Sequence, residues 1–219
     1  MYRIEDPLCL LKNPPSKSGF KNQVKLKLLD YWQGHLRDQA SNLVSISHLH
    51  LEFYSLSRPH PVWATCLGNP FECSKALVLS LMMTGRYPTD YLSRRWNPGN
   101  RTGYCKASTC EETLGTLEHI LLFCPELEPT RCRMRQMMIK KSSQCNILYL
   151  LILGVLIAPP AYLYQFLLDP LGLPQFRQLV STGGSAYLNL IFYMTRTYVF
   201  FIHRQYLMSR NKWPNINPN

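Results

Sequence analysis

Acidic side chains are scarce in this sequence of 219 residues. It contains 13 Asp and Glu against 24 Lys and Arg, which gives a formal net charge of +11 at pH 7. Such an excess favours a negatively charged partner, either RNA or DNA or an anionic membrane surface, although a soluble basic protein without such a partner would share it. No two aspartates are adjacent, and the few acids form no cluster suited to a pair of catalytic metal ions.

Long uninterrupted apolar runs are also missing. Residues 1–15 contain no apolar stretch typical of a secretory signal peptide, and we therefore expect an intracellular protein, nuclear or cytoplasmic. The most apolar segment, 147–168, is interrupted by Pro159 and Pro160. Its first half is shorter than the ~20 apolar residues that span a bilayer. We expect buried core there, and membrane contact by 147–168 as a kinked helix is the alternative.

The cysteines do not pair naturally into disulfides. Of the eight cysteines in the sequence, three belong to a metal-binding motif described next. The remaining five are an odd number without a regular rhythm: Cys9, Cys66, Cys73, Cys132 and Cys145. This pattern favours a reducing compartment, where buried thiols act as small apolar side chains.

One segment combines cysteine and histidine at close spacing. It reads Cys105-x4-Cys110-x8-His119-x4-Cys124. Three thiolates and one imidazole are the ligand set of a closed tetrahedral zinc site. We therefore predict that these four residues bind zinc. Three buried cysteines beside an unrelated histidine are the alternative interpretation.

The residues around the motif suit this geometry. Thr116 is a good helix N-cap, which places His119 near the start of a short apolar helix that Pro125 ends. His119 and Cys124 are five residues apart, so both face one metal only if the last helical turn loosens. Three thiolates and Zn²⁺ leave about one negative charge, and Lys106 is the nearest cation in sequence to offset it.

Apolar spacing predicts a mainly α fold, an irregular helical bundle with a small CCHC zinc knuckle. We expect an amphipathic helix over 20–40, an extended linker over 57–63, and a helix that Asn69 caps and Gly85 ends. The expected organisation along the chain is an irregular N-terminus at 1–19, helical segments at 20–100 and 129–212, the zinc knuckle at 101–128 and a disordered tail at 213–219.

The C-terminal part should contain a proline-rich loop and one long helix. We predict a loop over 169–178, a glycine-rich break at 181–185 and a final helix over 186–210. The basic end of this helix is expected to project into solvent, where cations also suit the helix dipole.

The motif and its surroundings resemble the cysteine–histidine element downstream of the reverse transcriptase in LINE-type (non-LTR) retrotransposon polyproteins. The resemblance spans roughly residues 20–212 and is most specific over 57–125. Its clearest pieces are Leu117-Glu-His-Ile-Leu-Leu-Phe-Cys-Pro125, Ser57-Arg-Pro-His-Pro-Val-Trp63, Gly85-Arg-Tyr-Pro-Thr-Asp-Tyr91 and Asn189-Leu-Ile-Phe-Tyr-Met-Thr-Arg-Thr-Tyr198. It implies a C-terminal region that holds RNA or target DNA and performs no chemistry itself. The aromatic-x-Asp-Asp box of the polymerase is absent, so we expect no enzymatic activity.

Basic residues flank the motif on both sides. The motif itself is locally acidic, with one lysine against five glutamates between Cys105 and Glu128, so phosphate contacts should come from the flanks. The candidate nucleic-acid-binding residues are Arg94, Arg95, Arg101, Arg131, Arg133, Arg135, Lys140 and Lys141. A solvated basic face without a ligand is the alternative.

Two further classes of function are alternatives to nucleic-acid binding. A zinc deaminase needs a His-x-Glu and a Pro-Cys-x-x-Cys sequence, whereas His119 is followed by Ile120 and Leu121. Four protein ligands would also leave no open position for a reactive water. A fragment of a larger polyprotein that has lost its function is the remaining alternative.

Overall fold

A computed structural model describes residues 14–43, 46, 48–54, 58–64, 66, 68–96, 102–107, 109–110 and 112–210. These residues form helices and short turns, and no β-strand occurs among them. The predicted mainly α fold is therefore confirmed. The chain divides into two compact units, 1–60 and 61–219, so the predicted helical segment 20–100 extends across both.

The first unit contains helix α1 (Lys17–Ser41) and a 3₁₀ turn (Leu51–Phe53). The Ser16 side chain caps α1 by accepting a hydrogen bond from the Gly19 amide at 3.1 Å, which agrees with the preference for serine at this position. Arg37 on α1 donates to the Glu52 carbonyl at 3.3 Å. The predicted helix is confirmed, and its Trp32 remains 46% exposed.

The second unit contains the remaining helices. They are α2 (Pro61–Ala64), α3 (Pro70–Met83), α4 (Asp90–Trp96), a π-helical turn (His119–Phe123), a 3₁₀ turn (Pro125–Leu127), α5 (Glu128–Ser142), α6 (Asn146–Ile157), α7 (Pro160–Leu168), a 3₁₀ turn (Pro170–Gly172) and α8 (Pro174–Met208). Helix α8 packs against α3 and α5, and in the described part of the chain it contributes more buried apolar side chains than any other helix.

The start of α3 follows the sequence prediction closely. Asn69 accepts hydrogen bonds from the amides of Phe71 and Glu72 at 3.0 and 3.3 Å. The extended linker predicted over 57–63 is wrong in its second half, where Pro61 begins α2. Proline suits the first position of a helix, and burial of Val62 holds the turn in place.

The apolar segment 147–168 forms two helices separated at Pro159. Each helix buries one face, with Leu148 and Ile152 fully buried on α6 and Phe166 on α7. Among the residues that the structure describes, no helix is both long enough and apolar enough to cross a membrane.

The end of the chain departs from prediction in two ways. Helix α8 begins at Pro174, within the predicted loop 169–178, and its backbone breaks at Gly184 (φ 72°, ψ −160°), within the predicted glycine-rich break. The prediction of a solvated basic end is wrong for Arg196 and Arg210. Both side chains are only 2% exposed, because carboxylates of α3 and α4 lie opposite them and pair with them.

Candidate metal centre

The four predicted ligands come together in the second unit. One ligand atom from each of Cys105, Cys110, His119 and Cys124 lies within 4.8 Å of all the others, and all four residues are buried. The Cys124 sulfur lies 3.7 Å from that of Cys110 and 3.9 Å from that of Cys105. This arrangement can hold a metal ion.

The first two cysteines lie on what we call the cysteine loop, residues 102–116. Its two arms meet at an isolated antiparallel bridge between Tyr104 and Leu114, and the Cys105 amide donates to the Thr113 carbonyl at 2.7 Å. Gly115 faces α4 so closely that a Cβ atom there would lie 2.8 Å from the Cβ of Asp90. The loop therefore depends on a residue without a side chain at this contact.

The third ligand, His119, begins the π-helical turn, and the fourth, Cys124, follows its last residue. Thr116 caps this turn as predicted, accepting a hydrogen bond from the His119 amide at 3.1 Å. The Cys124 amide then bonds to the His119 carbonyl at 2.8 Å, an i→i+5 contact. A π turn is one residue wider than an α turn, so His119 and Cys124 face the same point. The loosened last turn expected from their spacing is confirmed.

Contacts among the three sulfur atoms change the pKa values of their thiols. Hydrogen bonding from the Cys124 thiol lowers the pKa of Cys105 to about 4. The same contact raises the pKa of Cys124, and burial raises the pKa of Cys110. One thiolate is thus already favoured at Cys105, and a metal ion would be needed to hold all three sulfurs as thiolates.

The site passes a simple test for a metal ion. Nε2 of His119 is buried and makes no hydrogen bond within the described part of the chain, and an unsatisfied buried nitrogen is costly. Three sulfurs and one imidazole are a donor set that binds soft or borderline metal ions. A bound metal ion would give the buried Nε2 of His119 a partner.

Arg131 supports the fourth ligand from behind. Its side chain is 1% exposed, and it donates to the carbonyl oxygens of Cys124 and Ile120 while pairing with Glu128 at 2.7 Å. The prediction of a phosphate contact at Arg131 is therefore wrong, because its guanidinium is buried and occupied. Its position fixes α5 against the metal-binding turn.

Arg210 supports the first ligand. It donates to the Cys105 sulfur at 3.4 Å, pairs with Asp90 at 2.9 Å and lies 3.5 Å from the centre of the Tyr206 ring. Lys106, the cation expected to balance the charge of the site, is exposed and, within the described residues, makes no hydrogen bond to the three sulfurs. The negative charge of a metal site with three thiolates would thus be offset by Arg210, a residue far from the motif in sequence.

The other predicted nucleic-acid contacts fall into distinct groups. Arg94, Arg95, Arg133, Lys140 and Lys141 are exposed. Arg135 is partly buried and pairs with Glu128 at 2.9 Å. Arg101 lies outside the described residues. The structure thus leaves exposed cations on α4 and on α5, on either side of the metal-binding residues in sequence.

The supporting residues Asp90 and Arg210 were not found by reasoning from sequence. They are 120 residues apart, and Arg210 is 105 residues from the sulfur it contacts. No local spacing relates such positions. Only the return of α8 to the cysteine loop brings them together.

Comparisons with protein-family models, with curated proteins and with solved structures find no match for this chain. The resemblance to LINE-type polyproteins therefore stays a prediction carried by the sequence motifs alone.

Proposed function

We propose that this chain is a zinc-stabilised nucleic-acid-binding module, related to the C-terminal region of a LINE-type polyprotein and without catalytic residues of its own. The observation that carries the proposal is the buried cluster of Cys105, Cys110, His119 and Cys124. Zinc is the preferred ion because structural sites with three thiolates and one imidazole are closed and tetrahedral. Four protein ligands leave no position for water, so the metal's role is to hold structure.

The metal would position two groups of cations. Arg131 ties α5 to the carbonyl of Cys124, and the exposed Arg133 and Lys140 follow on the same helix. On the other side, Arg94 donates to the Thr102 carbonyl at 3.4 Å, at the start of the cysteine loop. Folding of the loop around zinc would therefore set the spacing between these cations, which suits a phosphate backbone.

The experiment has two measurements on the full chain. Native mass spectrometry of protein purified under reducing conditions should find one zinc ion per chain, and none with Cys110→Ser. Fluorescence anisotropy with labelled single-stranded RNA, single-stranded DNA and duplexes should show binding that weakens steeply as salt rises from about 50 to 200 mM. Wild-type protein that holds no zinc, or that binds none of these nucleic acids at about 50 mM salt, would refute the proposal.

A second candidate rests on one exposed apolar face. Ile147, Leu150 and Ile157 on α6 are 61%, 66% and 85% exposed, and their spacing places them on one side of the helix. In a basic protein such a face suits the surface of an anionic membrane. Flotation with anionic vesicles tests this candidate function. The double variant Ile147→Ser/Ile157→Ser should then bind the vesicles more weakly than wild type.

A further inference from the structure

A cleft between α5 and the end of α8 belongs to none of the sites described above. Its volume is about 150 Å³, and its walls include Arg133 and Met134 from α5 with Phe201, Arg204 and Met208 from α8. The nucleic-acid-binding residues predicted from the sequence include Arg133 but not Arg204. The fold brings these two cations to one opening.

Both arginines are available to a ligand. Arg133 is exposed, and its side chain donates a hydrogen bond to the Thr130 hydroxyl at 3.2 Å. Thr130 also lines the cleft. Arg204 is exposed, and neither arginine has a carboxylate partner within the described residues. No Asp or Glu lines the cleft. Two guanidinium groups without counter-charges are suited to a phosphate group.

Apart from the two arginines, the wall consists of three apolar side chains, one of them aromatic, and of the polar residues Thr130 and Gln205. Phe201, Met134 and Met208 can contact a flat ring, since aromatic stacking and sulfur–aromatic contacts are both favourable. A cavity of roughly 150 Å³ is known to accept one benzene ring. A six-membered pyrimidine ring therefore suits this space better than the larger purine ring system.

We propose that this cleft holds one unpaired pyrimidine nucleotide of a single-stranded nucleic acid, with its base against Phe201 and the methionines and its phosphate between Arg133 and Arg204. The proposal rests on the nucleic-acid-binding function proposed above and deepens it, since it names the unit that is recognised. The 2′-hydroxyl has no assigned role, so RNA and DNA strands should both enter.

The first test compares two double variants with equal change of charge. Arg133→Glu/Arg204→Glu should weaken binding of oligouridylate at least about tenfold, as expected when specific phosphate contacts are lost. The control, Lys25→Glu/Lys27→Glu, changes exposed lysines on α1 and should have a smaller effect. Circular dichroism and zinc content should match wild type for both.

The second test observes the cleft directly. With ¹³C-methyl methionine, addition of oligouridylate should shift the signals of Met134 and Met208. The signals of Met82, Met83 and Met194, which are at most 4% exposed, should stay in place. Oligoadenylate should bind more weakly than oligouridylate.

The outcomes separate the two proposals. If the wild-type chain binds no nucleic acid, the proposed function fails and the cleft proposal fails with it. If the chain binds oligouridylate but both double variants lose equal affinity and the Met134 and Met208 signals do not move, only the cleft proposal is overturned. Preferential loss in Arg133→Glu/Arg204→Glu together with shifts at these two methionines would support it.

Discussion

The cysteine loop and the second half of α8 belong to the same compact unit but are held in place by different interactions. In the described part of the loop, the buried positions are glycines, one alanine and two cysteines, while Tyr104 and Leu114 remain 40% and 41% exposed. In α8, Phe192, Tyr198 and Ile202 are fully buried. Each large apolar side chain stabilises a fold by about 1.5–3 kcal/mol, and the loop buries none.

The cysteine loop and α8 should therefore owe their stability to different interactions. Apolar burial is sufficient for α8 because its long side chains pack against α3 and α5. The loop has backbone hydrogen bonds, the guanidinium of Arg210 and the metal ligands. We therefore expect the loop to depend on the metal and α8 to depend little on it.

The largest effect should follow removal of the metal. Structural zinc contributes roughly 10 kcal/mol in small zinc-dependent domains. A chelator should therefore raise amide hydrogen exchange at Cys105, Thr113 and Cys124 by orders of magnitude, while exchange across 191–202 changes much less. Hydrogen–deuterium exchange with mass spectrometry measures both. Equal loss of protection in α8 would show that the two regions do not differ in this way.

Loss of Arg131 should come next. Arg131→Ala removes the side-chain donor to the carbonyl oxygens of Cys124 and Ile120 and replaces a side chain that is 1% exposed by a cavity. Hydrogen bonds from a charged group are worth about 1.5–3 kcal/mol each, so we expect a loss of about 3 kcal/mol or more. The matched control is Arg133→Ala on the same helix, which is exposed and should change stability by less than about 0.5 kcal/mol. Urea unfolding of the zinc-loaded protein gives both values. Similar results for the two variants would contradict the buried role of Arg131.

The helical core should respond to acid through His203. Burial lowers the pKa of this histidine to about 4, and its Nδ1 lies 2.8 Å from the Tyr87 hydroxyl. The unfolded chain binds a proton below about pH 6.5 and the folded chain does not, so stability falls as pH drops from about 6.5 to about 4, by roughly 3 kcal/mol in all.

The substitution His203→Gln removes this titration. Its difference from wild type in the free energy of unfolding should shift in favour of the variant as pH falls through that range. Loss of metal in acid affects both proteins alike, because the ligands are unchanged. A constant difference across the range would refute the assignment.

A smaller effect is expected at Arg210, and it should appear in metal affinity. Partners of metal ligands are worth about 10–100-fold in affinity. The double variant Asp90→Asn/Arg210→Gln avoids a buried unpaired carboxylate and should bind zinc at least about tenfold more weakly, as measured by competition with a chromophoric chelator. The control is Arg204→Gln, an exposed arginine near the end of α8. An unchanged affinity in the double variant would remove Arg210 from the metal centre.

The smallest effect concerns the break in α8. Gly184 has φ 72° and ψ −160°, a conformation that costs other residues about 1–3 kcal/mol, so Gly184→Ala should destabilise the protein. Gly154 lies within α6 with open space around its Cα, and Gly154→Ala should stabilise it by up to about 1 kcal/mol. Thermal unfolding compares the two variants. If the break at Gly184 is a fixed part of the helix, Gly184→Ala should lower the melting temperature and Gly154→Ala should raise it.

Several features were predictable because their causes are local. Asn69 and Pro70 mark the start of α3, the prolines divide 147–168, and Thr116 caps the turn that carries His119. In each case the interacting groups lie within a few residues of one another. The exposed or buried state of an arginine has no such local cause, and the predictions for Arg131, Arg196 and Arg210 failed for that reason.

The sequence by itself determined the helical class and the four residues that can bind a metal, since helix caps, apolar periodicity and ligand spacing act over one or two turns. Only the tertiary structure decided which cations serve the fold and which remain free. Arg131 and Arg210 are buried beside ligands because α5 and α8 return to the cysteine loop, whereas Arg133 and Arg204 meet at an open cleft. Long-range packing set those distances, and no spacing along the chain encodes them.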